Sequence, residues 1–199
     1  MRPQLTVLTD EQIIKILEEA KRLLAEVGIE VRGENLRERL LASGLKQNKK
    51  NKRILFPEEI VKKAIKDSPS LFTLFDRDGK AYTEIGENNV HFVPGSSGLK
   101  ILDHRTGETR LADSTDFIEY ARLCDGMEHI AYLATAFSTN KDIESQVSDA
   151  WRLYMTLTTS KKPIVSGAFS EHGTPRMVKM MEMFRDNRED LIKRPMSIF

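Results

Sequence analysis

After residue 112 the chain alternates between helical and extended periodicity, and that alternation limits its possible folds more than any other feature. "DSTDFIEYARLCDGM" sets Phe117, Tyr120, Ala121 and Leu123 at helical spacing, with Ser114 or Thr115 as the expected cap. "IAYLATAF" is an apolar run of strand length. "ESQVSDAWRLYMTLTTS" returns to a helix, with Val147, Trp151, Leu153, Tyr154 and Leu157 as its apolar side. "KPIVSGAF" is again a strand, and "TPRMVKMMEMFRDN" a further helix. Such an order predicts parallel βα units, because a parallel strand pair needs a covering crossover. The final residues, Pro195 to Phe199, read as the opening of another strand. Two secure units fall well short of a closed eight-stranded barrel, and an open parallel sheet this narrow leaves long edges over little core. The expectation is an incomplete α/β fold.

Two other regimes precede it. In "TDEQIIKILEEAKRLLAEVG", Thr9 and Gln12 have capping-box spacing, Ile13, Leu17, Ala20, Leu24 and Val27 form a stripe expected to be buried, and Gly28 ends the helix. "ENLRERLLAS" before Gly44 gives a second helix, and Pro57 opens a third in "PEEIVKKAIKDS". These residues, 1–68, read as a helical region. Residues 69–112 read as short hairpins: "LFTLFDRDGKAYTEIG" around an Asp-Gly turn, a brief strand in "VHFVPG", and "GLKILDHRTGETRL" around Thr106 and Gly107. Residues 113–199 hold the βα units.

Charge and composition narrow the function classes. Between Arg32 and Lys66 there are eleven Lys and Arg against four Glu. Clustered cations are what phosphate binding needs, but Phe56 is the single aromatic residue in the stretch, with no aromatic interleaving of the kind single strands need, and "QNKKNKR" reads as a polar turn, so a solvated face is the expectation rather than a nucleic-acid surface. The single cysteine, Cys124, excludes a disulfide framework and a cysteine zinc site. No apolar run approaches membrane-span length, and the N-terminus lacks the apolar core of a secretory signal, so a cytoplasmic protein is expected, without nucleic-acid or membrane partners.

Candidate chemistry centres on "IVSGAFSEHGTP". Glu171 and His172 follow a strand directly, where βα loops of barrels supply catalytic groups, and histidine exchanges protons near neutral pH. They are the catalytic candidates, with Phe169 and Ser170 beside them as substrate contacts. The alternative is that they are loop residues at a helix start. Asp103, in "ILDHRTG", could bind a cationic group or a hydroxyl, or could serve its turn, as Asp does through nearby backbone N–H groups. "PGSSG" could cradle an anion but lacks the lysine of a phosphate loop. No HExxH, CxxC or GxSxG motif occurs, and no metal site is expected. Tyr120, Tyr132 and Trp151 read as packing residues, although aromatic faces also bind quaternary ammonium groups.

"FVPGSSGLKILDHRTGETRLADSTDFIEYARLCDGMEHI", "SDAWRLYMTLTTSKKPIVSGAFS" and the terminal "RPMSIF" together resemble the trimethylamine methyltransferase family, and "LTDEQIIKILEEAKRLLAEVGIEV" looks like its opening helix. The likeness is collinear over essentially the whole chain. It implies a (β/α)8 TIM barrel of which this chain is the N-terminal part, here incomplete and preceded by the helical layer and hairpins. It also implies transfer of a methyl group from a quaternary or tertiary amine, of glycine betaine or trimethylamine type, to the Co(I) cobamide of a separate corrinoid protein. The cobamide is then the partner's, with none bound directly by this chain. A small amine is the other partner, homo-oligomers are expected at full length, and methanogenesis is one setting for such chemistry. In amine-specific members pyrrolysine lies in the later half of the chain, beyond Phe199. Alternatives are a non-catalytic scaffold or interaction module and, less favoured, a barrel hydrolase using Glu171 and His172.

Overall fold

The computed structural model describes residues 5–95, 98–169 and 172–199. The chain divides into two compact units, Met1–Pro69 and Ser70–Phe199.

The first unit begins with α1 (Asp10–Arg22), where Thr9 and Gln12 form the expected capping box, and a π-helical turn over Leu23–Val27 carries the chain to Gly28. Gly28 has φ +74 and sits against the Ile54 carbonyl, so only glycine fits there without strain. Helices α2 (Glu34–Ala42) and α3 (Glu58–Asp67, after Pro57) follow the reading above. Between them lies an unanticipated antiparallel hairpin, β1 (Lys46–Gln47) and β2 (Ile54–Leu55), whose turn is the polar "NKKNKR" segment. The apolar stripe of α1 is not buried as expected: none of its residues is fully covered, and Ile13 and Leu17 are exposed. A helix needs facing apolar partners to bury its stripe, and among the described residues of this unit only Leu45 and Ile54 form a buried apolar centre.

The second unit is mixed α and β. Strands β3 (Leu71–Phe75) and β4 (Ala81–Gly86) form the Asp-Gly hairpin, with a register irregularity at Leu74 and Phe75. The hairpin is fastened through its backbone: Phe75 N–H donates to Pro195 O at 2.8 Å, and Arg77 N–H to Lys161 O at 2.9 Å. The Arg185 guanidinium adds bonds to the carbonyls of Asp76, Arg77 and Arg194. The "VHFVPG" segment makes only a single parallel bridge, Phe92 to Ile130, instead of a strand. A second hairpin joins β5 (Ile101–Leu102) to β6 (Thr109–Arg110), with Gly107 at φ +73 in its turn.

Helix α4 (Ser114–Asp125) corrects one expectation. Its cap is Asp113, one residue before Ser114, because the Asp113 carboxylate accepts from the N–H groups of both Thr115 and Asp116. Ser114 instead accepts a bond from the Trp151 indole at 2.7 Å. Arg110 braces this cap, gripping Asp116 through both terminal nitrogens at 2.7 and 2.8 Å and Asp103 through Nε at 2.8 Å. These bonds hold the carboxyls of Asp103 and Asp116 below the usual range. Their stabilisation is therefore present above the ordinary carboxylate pKa of about 4 and is lost as pH falls through the lower folded-state values. Arg110→Gln should remove it, so the acid-unfolding midpoint followed by circular dichroism should move upward toward pH ~4. An unchanged midpoint would show that the pairs contribute nothing.

The parallel layer contains β7 (Leu133–Ala134), β8 (Ile164–Val165) and β9 (Ser197–Ile198), in that order and all parallel. Helix α5 (Ser145–Thr159) crosses from β7 to β8, and α6 (Gly173–Glu182) with α7 (Arg188–Lys193) crosses from β8 to β9. Helix α7 was not anticipated; Asn187 caps it through Asp190 N–H. The core packs Leu153 and Leu157 of α5 against Ile164, Met177, Met181, Leu191 and Met196. Val147 and Tyr154, read as apolar-side residues, are exposed. Positions 147, 151 and 154 share one stripe and 153 and 157 another, and only the second faces the strands. Among the described residues no helix is long and apolar enough to cross a membrane.

Candidate active site

The carboxyl ends of β7 and β8 open into a cavity of about 310 Å³, lined by Gly98, Leu99, Thr135, Ser138, Arg152, Val165, Ser166, Gly167 and Phe169. In open α/β sheets this end of the strands is where ligands bind, since the loops there are free to vary over a fixed frame. The wall on one side is the segment after β7. Gly98 pairs with it, donating to Ala136 O at 2.8 Å and accepting from Ser138 N–H at 3.0 Å. A Cβ at Gly98 would stand 3.1 Å from that of Phe137, so the close approach depends on glycine. Phe137 is fixed in turn by edge contacts with Phe117 and Tyr120, each at 5.4 Å between centroids. The Tyr120 hydroxyl donates to Ala134 O at 3.0 Å, and burial pushes its phenol pKa upward.

On the opposite side two charged residues lie on the buried face of α5, Arg152 lining the cavity and Asp149 standing behind its wall. Asp149 is fully buried. Its Oδ2 accepts the Phe169 N–H at 3.0 Å, and its Oδ1 accepts from Ala150 N–H at 2.6 Å and Arg176 Nη2 at 3.3 Å. The carboxylate thus clips the loop after β8 to α5, and a side chain at Gly173 would collide with it. One turn later Arg152 is only 3 % exposed. Its Nε donates to Ser148 O at 3.2 Å, and its Nη1 to the carbonyls of Thr135 and Phe137 at 3.3 and 3.4 Å. The guanidinium carbon lies 4.6 Å from the centre of the Phe169 ring, a cation–π contact. Burial pulls the Arg152 pKa down from the guanidinium range, and the charge of Asp149 partly offsets this. Ser166, at the end of β8, has a buried hydroxyl with no hydrogen-bond partner among the described residues.

Of the residues singled out in the sequence, Phe169 lines the cavity. Ser170 and Glu171 lie outside the described residues. His172 is exposed at the start of α6 and does not line the cavity. Asp103 sits in the β5–β6 turn, with Oδ1 on Arg105 N–H at 2.9 Å and Oδ2 on Arg110. Both oxygens serve the hairpin, which is the turn role weighed above, and the residue is not part of the cavity wall. Asp149 and Arg152 were missed. Their signal was present: they fall three apart on the same side of the helix as Leu153 and Thr156, so two charges share the buried face. Among the described residues no group of three or more His, Cys, Asp or Glu could hold a metal ion.

A family model described as trimethylamine methyltransferase (MTTB) matches residues 1–197. The chain belongs to the trimethylamine methyltransferase family. It is 24 % identical over 196 residues to the glycine betaine methyltransferase of Desulfitobacterium hafniense strain Y51, covering 98 % of this chain and 40 % of that protein. It is 29 % identical over 187 residues to the trimethylamine methyltransferase MttB of Methanosarcina barkeri, covering 92 % of this chain and 36 % of that one. The chain therefore spans about two-fifths of the length of these family members.

Proposed function

We propose that this chain forms the N-terminal part of a corrinoid-dependent methyltransferase, in which βα units continue the parallel layer into a (β/α)8 barrel. The substrate is a quaternary or tertiary amine, and the acceptor is a cobamide carried by a separate corrinoid protein. The observation that carries the reading is the family match over residues 1–197, joined to a cavity at the carboxyl ends of β7 and β8. A cavity of about 310 Å³ suits a small amine and is far too small for a corrin ring, so the cobamide would meet the substrate at the mouth. Its cobalt(I) supplies the electron pair for the new bond to carbon, while the N–C pair stays on nitrogen.

The chain's residues have the task of orientation. The Phe169 ring, 59 % exposed, offers an apolar surface that can pack against N-methyl groups without hydrogen-bonding them. Asp149 holds the Phe169 backbone in place, and Arg152 backs one face of the ring. Positioning of this kind, with a near-attack geometry, is a large part of what a protein can add to such a displacement. A quaternary donor leaves as a neutral amine without proton transfer. A tertiary donor leaves as a neutral amine in the same way from its protonated, ammonium form.

The test is incubation of the full-length protein with trimethylated amines and a reduced corrinoid protein. The demethylated amine should appear only when both proteins are present. Demethylation without the corrinoid protein, or none with any amine, would overturn the reading.

A further inference from the structure

Helix α1 and the turn after it present an apolar stripe that their own unit leaves open. Ile13, Ile16, Leu17 and Leu23 are between 42 and 56 % exposed, and with Ala20 they recur every three or four residues along one face. The β1–β2 hairpin meets the chain at the π-helical turn, where Phe56 N–H donates to Leu24 O at 3.0 Å, and α3 reaches Lys21, whose Nζ lies 3.7 Å from Glu58. Single exposed leucines are ordinary, but a continuous aliphatic stripe marks a surface that a partner covers. The charges beside the stripe select the partner. Residues 10–27 carry five carboxylates and three cations, a balance unsuited to an anionic membrane or a nucleic acid. The signs are also sorted along the helix, with Asp10 and Glu11 in its first turn and Lys21 and Arg22 in its last. Asp10 and Lys21 are eleven residues apart, about three turns, so both stand on one edge of the stripe. Asp10 has no ion-pair partner among the described residues.

We infer that α1 is a pairing helix, through which two copies of this chain join antiparallel about a two-fold axis. An isologous contact brings equal edges of the two helices together, so Asp10 of each copy meets Lys21 of the other, and Ile16 lies beside the axis. Ile13, Ile16, Leu17, Ala20 and Leu23 supply the apolar contact, and the ion pairs fix its direction. A parallel pair would set like charges against each other and align the two helix dipoles unfavourably. The pairing is independent of the reaction proposed above.

The experiment is cysteine cross-linking of the full-length protein, joined to analytical ultracentrifugation. Cys124 is buried, so introduced cysteines react over little background. Ile16→Cys should give a disulfide-linked dimer under mild oxidation, while Glu18→Cys, on the opposite face, should give none. Asp10→Cys and Lys21→Cys should cross-link with each other when mixed and not singly, because identical positions then lie about 16 Å apart along the axis. Ile16→Glu should halve the particle mass, with the association weakened about 100-fold as two carboxylates are forced together at the axis. Its circular dichroism should not change, since the residue is more than half exposed. Lys21→Glu should weaken the association about 5-fold by removing an ion pair at each end. No dimer from Ile16→Cys, or cross-linking of Asp10→Cys with itself, would overturn the proposal. A loss of stability in Ile16→Glu at unchanged particle mass would also overturn it, since another part of the full-length chain would then cover the stripe. So would a monomeric wild-type protein that binds anionic vesicles through Ile16.

Discussion

Replacing Lys162 by methionine should cost the second unit about 3–5 kcal/mol, the range expected when a buried, fully engaged charge is removed from its partners. Lys162 is 8 % exposed, and its ammonium donates to the carbonyls of Cys124, Met127 and Ile130 at 2.9, 2.6 and 2.8 Å. Cys124 lies in the last turn of α4, where the dipole favours a cation and its carbonyl also accepts the Met127 N–H at 3.3 Å. The other two carbonyls belong to the turn that leads from α4 toward β7. One side chain therefore adds a charged donor to three carbonyls, of which those of Cys124 and Met127 also accept a backbone N–H, and ties the α4–β7 connection to the start of β8. Methionine fills the space of the stem but donates nothing. Urea unfolding should show the loss as a lower midpoint, and a change below ~1 kcal/mol would show that water replaces the ammonium at little cost.

Asp149→Asn should have the next largest effect. The amide keeps the size of the carboxylate but presents donors on one side, where Asp149 accepts from Phe169 N–H, Ala150 N–H and Arg176. It also removes the negative charge that acts on buried Arg152. A loss of about 2–4 kcal/mol in stability is expected. Because Phe169 is released from α5, affinity for the cavity's ligand should fall as well. Asp149→Glu is the contrasting variant: it keeps the charge but must find room beside Gly173, so it should retain more ligand affinity than Asp149→Asn. Equal stability of the Asp149→Asn variant and the wild-type protein in urea would refute the clip.

Most of the fold was legible because its elements announce themselves locally. The Thr9–Gln12 capping box, Pro57 before α3, and the Asp-Gly hairpin of β3 and β4 rest on interactions within a few residues. The alternation of helix and strand after residue 112 likewise led to parallel pairing of β7, β8 and β9. What was missed depends on distant partners. The cap of α4 shifted to Asp113 because Arg110 braces the capping box from the preceding strand. The α1 stripe looked buried by period alone, but period says nothing about what is available to cover it. For the candidate cavity, one lining residue was singled out in the sequence and the charged residues of α5 were not. "IVSGAFSEHGTP" pointed to the loop after β8, and Phe169 does line the cavity. Asp149 and Arg152 escaped because charged residues on a helix read as a solvated face until a sheet is known to lie against them.

The central claim, methyl transfer from an amine to a corrinoid partner, is tested most directly by following the methyl group itself. The full-length protein would be mixed with a donor labelled with deuterium in its N-methyl groups and with reduced corrinoid protein, and both products examined by mass spectrometry. The account predicts that the label leaves the amine and is recovered on the cobamide of the partner, in equal amounts. Label that stays on the amine, or that leaves it without reaching the partner, would contradict the account.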